Sequence, residues 1–191
     1  MPKTYTDDAA PTDGDARTTS GDTPPTRVAN TGYCRAYGTC TAHYIGSAIT
    51  ARYVNYNSTG GFYLLPIRIP DDMDVAEPCS VKILVNPVFN VTTNGQVIRF
   101  YLQQSHVADG GSMNTTSINY DWDVPDDWTT NDYNVVLIDN GNGRTYEAGA
   151  FANGDTVGFR IARLGTAAED TFNKAVKIAE YLQFEYTAKQ Y

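Results

Sequence analysis

The chain has 191 residues, a formal net charge of −8, 12% aromatic residues and only 19% charged residues. A chain of this length and composition can bury the core of one ordinary domain, so a wholly disordered protein is excluded. The Lys and Arg residues form no cluster, which argues against a protein that binds the nucleic-acid backbone. No apolar run approaches the roughly 18 residues that span a bilayer, and no leader follows Met1. We therefore expect a soluble domain with neither nucleic acid nor a membrane as a partner.

The first 31 residues differ in composition from the rest of the chain. They are rich in Thr, Pro and Asp, and their only larger apolar side chains are Met1, Tyr5 and Val28. Such a segment cannot build a core of its own, and its prolines favour an extended backbone. Two interpretations are open: a disordered tail or linker, or an arm that is held by the surface of another protein. We favour the arm.

Residues 32–47 form a segment rich in Tyr and Cys, in which small residues alternate with larger ones. We expect this segment to dock the arm onto the domain. The chain then divides into an extended arm with its docking segment over residues 1–47 and a β-domain over residues 48–191. Exposed tyrosines are also common without any function. If the arm binds a capsid surface, the candidate contact residues are Tyr5, Val28, Tyr33 and Tyr37.

From residue 48 onward, short runs of β-branched and aromatic residues alternate with turn residues such as Gly, Asn, Asp and Pro. This pattern predicts β-strands. The turn between the third and fourth runs contains Asn94-Gly95, a pair that suits a turn with positive φ. The predicted strands before the last one cover residues 49–54, 62–69, 80–85, 97–102, 133–138, 144–148 and 156–163.

The segment from residue 167 to 187 is ambiguous between helix and strand. Some of its apolar residues lie at helical spacing, but from Val176 to Thr187 apolar and polar residues also alternate at period two, with an interruption at Glu180. We predict a strand over 176–187, because the β-rich end from Phe184 does not suit a helix end. Eight short strands without βαβ alternation indicate an all-β fold, an antiparallel jelly-roll-like β-sandwich that follows the extended N-terminal arm.

The C-terminal part of the chain carries a more specific pattern. An arginine-bearing strand over residues 154–163 is followed by Glu-Asp-Thr-Phe at 169–172 and by a final strand that ends in Phe-Glu-Tyr at 184–186. This pattern resembles the last two strands of jelly-roll domains in virion proteins of tailed bacteriophages. The resemblance implies a jelly-roll fold and a binding role, because such domains serve as head decorations, fibre segments and host-binding tips.

Two arginines of this pattern, Arg160 and Arg163, project to opposite faces of one predicted strand. At most one of them can face the interior of the sandwich. We expect the inward arginine to donate hydrogen bonds to Asp170, while Thr171 ties the loop backbone. This arrangement predicts a charge pair that closes one end of the sandwich.

Acidic clusters are the feature of the sequence that suits an enzyme best. Carboxylates beside aromatic residues, as in the segment from 120 to 128, are typical of glycoside hydrolases, but acidic residues beside Pro and Gly are also ordinary turn formers. The run from Asp121 to Asp127 offers oxygen ligands for Ca²⁺ and lacks a recognisable calcium-loop spacing. No nucleophile motif or phosphate-binding loop is present. We therefore expect no enzyme activity.

The chain has three cysteines and two histidines. Cys34, Cys40 and Cys79 include no close pair, so the sequence predicts no disulfide framework. His43 and His106 lie far apart, so a zinc site has too few ligands. We expect neither a bound metal nor a cofactor.

The segment from 120 to 128 also offers a candidate glycan site, because tryptophan and tyrosine rings stack on sugar faces. The alternative, which we favour, is that the two tryptophans cover the open end of the sandwich. The candidate glycan-binding residues are Tyr120, Trp122, Asp123 and Trp128.

The resemblance implies a structural protein located in the virion of a tailed phage. The first hypothesis is a capsid decoration (cement) protein, with the major capsid protein and neighbouring copies of itself as partners. Decorations of this type sit mostly on three-fold positions, so the resemblance implies a homotrimer. The alternative is a tail-fibre or receptor-binding module that recognises a host surface glycan. A polysaccharide-cleaving enzyme is the third and weakest hypothesis.

Overall fold

The computed structural model describes residues 26–45, 49–107 and 111–189. Within these ranges the chain forms β-strands joined by turns and loops. A search of the same ranges finds no helix that is long and apolar enough to cross a membrane. The strands are β1 (Thr26–Gly38), β2 (Thr41–Ile45), β3 (Ile49–Val54), β4 (Thr59–Leu64), β5 (Ile67–Arg68), β6 (Ser80–Pro87), β7 (Val97–Val107), β8 (Met113–Asp123), β9 (Asn134–Leu137), β10 (Thr156–Leu164) and β11 (Val176–Thr187).

The strands form two antiparallel sheets that pack face to face. In sheet A, β11 lies in the centre, with β6 and then β9 on one side, and with β3, β2 and the first half of β1 on the other. In sheet B, the order is the second half of β1, then β4, β10, β7 and β8, and the short β5 pairs with β10 in line with β4. The predicted all-β antiparallel sandwich of jelly-roll type is confirmed.

Strand β1 belongs to both sheets. Its first half pairs with β11, and its second half pairs with β4 from Tyr33 onward, with a register shift between Tyr33 and Arg35. The predicted boundary between an arm and a domain at residue 47 therefore differs from the structure, because residues 26–45 form β1 and β2 of the sandwich. Residues 1–25 lie outside the described residues, so the arm remains a prediction for them alone.

Residues 26–38 join the sandwich through backbone pairing with β11 and β4. The polar composition of this segment gives no sign of that pairing. The Thr31 side chain is buried, and its hydroxyl donates a hydrogen bond to the Leu65 carbonyl, so a polar residue is accommodated without an unpaired group. Val28, in contrast, is 49% exposed. A strand whose anchors are hydrogen bonds carries little of the apolar pattern on which strand prediction depends.

Strand β8 lies between residues 102 and 133, where the sequence analysis predicts no strand. Its first five residues are exposed, and only Ile118, Tyr120 and Trp122 are partly buried against the core. The polar residues between them face away from the core. The strand forms because all eleven of its residues pair with β7 without a register shift.

One further strand prediction is wrong, whereas the predicted turn with positive φ at Asn94-Gly95 is confirmed. The run 144–148 forms only an isolated bridge, between Tyr146 and Cys79. The runs that flank Asn94-Gly95 do not pair with each other, because β6 lies in sheet A and β7 lies in sheet B. The turn at Gly95, with a φ of 68°, therefore connects the two sheets.

The last strand, β11, confirms the choice of strand over helix for residues 176–187. Its register against β6 shifts between Ile178 and Leu182, which marks a β-bulge around Glu180. The Glu180 carboxylate lies 2.6 Å from Nε of Arg52 on β3. The interruption of the alternation at Glu180 is thus a bulge with its own ion pair.

A buried ion pair closes one end of the sandwich. Arg163 of β10 and Asp170 have fully buried side chains, and Arg163 donates to both carboxylate oxygens, with Nε–Oδ2 at 2.8 Å and Nη2–Oδ1 at 2.6 Å. Arg163 also donates to the backbone carbonyls of Phe172 and Lys174. The guanidinium is therefore neutralised and held by the loop that follows β10.

The same loop is tied to β7 by its backbone. The Thr171 hydroxyl accepts a hydrogen bond from the Val97 amide at 2.9 Å, and the Asp170 carboxylate accepts one from the Arg99 amide at 3.1 Å. The prediction that one arginine of the pair points inward to Asp170, while Thr171 fixes the loop, is confirmed. Arg163 is the inward arginine, and Arg160 faces the opposite side of β10.

We expect Asp170→Asn to lower the free energy of unfolding by about 3–5 kcal/mol, because it leaves the Arg163 guanidinium buried without a counter-charge. Urea denaturation followed by circular dichroism measures this loss. The control is Glu169→Gln, whose exposed carboxylate should contribute no more than about 1 kcal/mol. Equal stability of the two variants would contradict the role of the pair.

Candidate functional site

The predicted glycan residues are brought together only in part. Tyr120 and Trp122 lie on the core-facing side of β8, and Asp123 is exposed at its end. Trp128, in the loop after β8, is only 2% exposed. Its ring meets Trp122 edge-to-face, with centroids 5.1 Å apart. These side chains form an inward-facing cluster rather than a surface for a ligand.

The surroundings of Trp128 agree with the covering role. Its ring lies 6.1 Å from the Phe172 ring, and its Nε1 donates to the Asp132 carbonyl at 3.2 Å, so its polar atom has a partner inside the protein. Burial raises the pKa of Tyr120, and the negative charges of Asp139 and Asp123 add to the shift. The Tyr120 hydroxyl is therefore protonated at neutral pH.

The predicted capsid contacts do not form one surface in the described residues. Tyr5 lies outside them. Val28 is exposed on the half of β1 that belongs to sheet A, whereas Tyr33 and Tyr37 lie on the half that pairs with β4 in sheet B. Of these residues, Tyr37 belongs to a cluster of aromatic and arginine side chains on the outer side of sheet B.

This cluster, the tyrosine–arginine face, consists of Tyr37, Tyr63, Tyr101 and Arg160 on the outer side of sheet B. The strands β1, β4, β10 and β7 lie side by side and bring the four residues together. Arg160 stands opposite Tyr63 on one neighbouring strand and opposite Gln103 on the other. Because Phe159 and Ile161 of β10 are buried, the residue between them faces outward.

The guanidinium of Arg160 lies among three aromatic rings. Its Cζ atom is 4.2 Å from the centroid of Tyr37, 4.7 Å from that of Tyr101 and 5.9 Å from that of Tyr63. Tyr37 and Tyr63 meet edge-to-face at 6.0 Å, and Arg35 lies 5.3 Å from the Tyr63 ring. Cation–π contacts of this kind hold the rings in fixed positions on a surface that is only partly covered.

The positive charge of this face has no acidic partner in the described part of the chain. Buried Nε of Arg160 also has no hydrogen-bond partner there. A local positive charge in a chain of net charge −8 is available to a ligand. The ion pairs found within the described ranges use other cations, namely Arg52, Arg68, Lys82, Arg99, Arg144 and Arg163.

A small cavity of about 150 Å³ opens beside Arg160. Its lining includes Tyr63, Gln103, Ser105 and Gly158. Gly158 leaves the space open, since a Cβ atom built there would have the Ser105 carbonyl oxygen as its nearest neighbour, at 3.9 Å. The cavity is therefore lined by an aromatic residue, an amide, a hydroxyl and a guanidinium. Such a combination of groups can bind and orient a polar ligand.

Sequence reasoning missed Tyr63, Tyr101 and Arg160 as members of one site. The available signal was their position, because each is an outward residue between buried neighbours in a strand. Only the strand order of sheet B shows that they share a surface. Within the described ranges, no three His, Cys, Asp or Glu side chains come together as metal ligands.

Comparisons with known proteins show similarity of fold. No protein-family model and no curated protein matches the chain. A solved structure of the bacteriophage CBA120 tailspike protein 4 enzymatically active domain is 9% identical, with a TM-score of 0.36, and covers 83% of this chain and 19% of that chain. A structure of the infectious bursal disease virus Gx strain is 9% identical, with a TM-score of 0.40, and covers 88% of this chain and 34% of that chain.

A third solved structure is the C-terminal family 22 carbohydrate-binding module of Clostridium thermocellum Xyn10B. It is 10% identical, with a TM-score of 0.38, and covers 94% of this chain and 99% of that chain. The present chain thus spans about a fifth of the tailspike chain and about a third of the viral chain. At such low identity these similarities concern the β-sandwich architecture alone.

We expect Trp128→Ala to lower the free energy of unfolding by about 3–5 kcal/mol, because it removes a large ring from the core. Trp122→Ala should cost less, since this ring is only partly buried. Chemical denaturation of both variants measures the difference. Unchanged stability of the Trp128 variant would contradict the covering role and would return this ring to the glycan hypothesis.

Proposed function

We propose that this protein is a binding protein without catalytic activity, and that its tyrosine–arginine face binds a carbohydrate. The observation that carries the proposal is the set of three partly exposed tyrosine rings around Arg160, beside a cavity whose lining includes Gln103 and Ser105. Aromatic faces pack against the apolar faces of sugar rings, and amide and hydroxyl groups bond to sugar hydroxyls. Gln103 and Ser105 supply those polar groups.

The charge of the face narrows the class of ligand. A guanidinium without an acidic partner binds a carboxylate through paired hydrogen bonds. Arg160 and Arg35 both reach this surface, so a sugar that carries a carboxylate, such as a uronic acid, fits it better than a neutral sugar. The fixed stacking on the tyrosines reduces the entropy that Arg160 loses when a ligand binds.

We expect Tyr101→Ala to weaken glycan binding by about 1 kcal/mol, roughly a fivefold rise in Kd, because one stacking surface is lost. A glycan microarray that contains neutral and uronic-acid polysaccharides identifies the ligand, and calorimetry measures Kd. Gly158→Leu should also reduce binding, because the new side chain fills the cavity. The control is Tyr133→Ala, which removes a 63% exposed ring from a different surface. Absence of binding to every glycan, or equal binding by Tyr101→Ala and the control, would contradict the proposal.

We propose a virion as the place where this binding protein works, attached as a head decoration or as a tail appendage. The motive for this location is the resemblance to virion proteins of tailed phages, and the polar, proline-containing composition of residues 1–25, which precede the first strand of the sandwich, supports attachment through an extended arm. A segment of this kind can bind by laying an extended backbone over a neighbouring surface. The homotrimer that the resemblance implies is a competing assembly, which sedimentation distinguishes from a dimer.

We expect deletion of residues 1–25 to leave a folded β-sandwich that no longer binds phage heads. The deletion must end before Thr26, because β1 pairs with both sheets from that residue onward. Co-sedimentation with undecorated heads measures binding, and circular dichroism confirms the fold. Gly158→Leu serves as the control, since it alters the tyrosine–arginine face and leaves the N-terminal segment intact. Retained binding by the truncated protein would count against an attachment arm.

A further inference from the structure

Strand β8 presents an unprotected edge of sheet B. It pairs with β7 over its whole length, from Met113 opposite Val107 to Asp123 opposite Val97, without a bulge. No other strand in the described part of the chain pairs with its second edge. Proteins usually shield such edges with proline, lysine or a bulge, because free amides and carbonyls attract another strand. None of the three is present in β8.

The hydrogen bonds of β7 show which groups of β8 are free. The amides of Val97 and Arg99 donate to Thr171 and Asp170, on the side of β7 away from β8. Val124, directly after β8, donates its amide to the Gln96 carbonyl at 2.9 Å, so even-numbered residues bond across this pair. Bonding alternates along an antiparallel strand. The free edge therefore carries the amides and carbonyls of Met113, Thr115, Ser117, Asn119, Asp121 and Asp123.

We propose that two copies of this chain pair through their β8 edges in antiparallel orientation and so continue sheet B from one copy into the other. Odd-numbered residues must stand opposite odd-numbered residues, because only these offer free backbone groups. Full overlap of the two strands then places a two-fold axis at Ile118. Ser117 lies opposite the partner's Asn119 in this register, and Thr115 lies opposite the partner's Asp121.

The charges of β8 favour this register. The half from Met113 to Ile118 has no charged residue, and the other half carries Asp123 and Asp121, of which Asp121 forms an ion pair with Arg99 of β7. Full antiparallel overlap sets the acidic half of each copy against the neutral half of its partner. A register centred nearer Asp123 would bring the carboxylates of the two copies together. Like charges in opposed positions destabilise a strand pair.

The pair has a consequence that rests on the proposed function. A two-fold axis perpendicular to the sheet leaves both tyrosine–arginine faces on the same side of one continuous sheet. Arg160 lies opposite Gln103, which lies opposite Ser117, close to the axis. Five strand spacings separate the two Arg160 residues, which is about 24 Å. The two tyrosine–arginine faces can then bind two repeats of the same polysaccharide chain.

The test combines two charged variants of the full chain. Ser117→Lys with Asn119→Lys places lysines opposite each other across the axis, and Ser117→Glu with Asn119→Glu does the same with carboxylates. Both side chains are exposed, so both variants should fold, which circular dichroism checks. By sedimentation, the wild type should have twice the mass of one chain, and each variant alone should be monomeric. An equimolar mixture of the two should again form dimers.

Several outcomes would overturn the pairing. A wild type that is a monomer or a trimer contradicts it, as does a lysine variant that remains dimeric or a mixture that does not restore the dimer. A full chain that is monomeric, together with a dimer after deletion of residues 1–25, would assign the edge to the N-terminal segment instead. Dimers without glycan binding would leave the pairing intact and refute the proposed function alone.

Discussion

Side-chain alternation along β10 places Arg163 inside the sandwich, where its ion pair closes one end, and places Arg160 on the outer surface. Inward residues of this strand end in Arg163, whose bonds to Asp170 hold the following loop, and Thr171 of that loop is bonded to the backbone of β7. The outward residues include Arg160, around which the tyrosines gather. A shift of one residue in the register of β10 would bury Arg160 without a carboxylate and would expose Arg163, so both features depend on one register.

Strand β1 crosses from one sheet to the other and so links the core of the sandwich to the tyrosine–arginine face. Tyr37 reaches Arg160 only because the second half of β1 lies beside β4, next to β10. The first half is held by β11, whose bulge at Glu180 is fixed by Arg52. The tyrosine–arginine face is therefore built on strands that are anchored in both sheets, which is the rigid support that a preorganised site requires.

The sequence was informative wherever burial imposes a pattern. Period-two alternation predicted β11, and residue chemistry alone predicted that one arginine of β10 would meet Asp170. It failed for β1 and β8, because their positions depend on backbone pairing and few of their side chains are buried. The loop tryptophans were considered both as a glycan site and as a cover, and Trp128 is buried. Tyr63, Tyr101 and Arg160 come from three separate strands, so no local window could show that they meet.

The polar sequence of β8 has a physical explanation if its edge pairs with a second copy. Outward Thr, Ser and Asn residues keep the monomer soluble, while the backbone groups beside them remain free to form a ladder. Pairing of the two edges forms hydrogen bonds, and the monomer does not have to expose a large apolar patch for it. If the proposed function also holds, two sites on one face act on the same polysaccharide, and the second contact forms at an effective concentration set by their spacing. Weak binding by each tyrosine–arginine face is thereby sufficient for firm attachment, without any enlargement of the face itself.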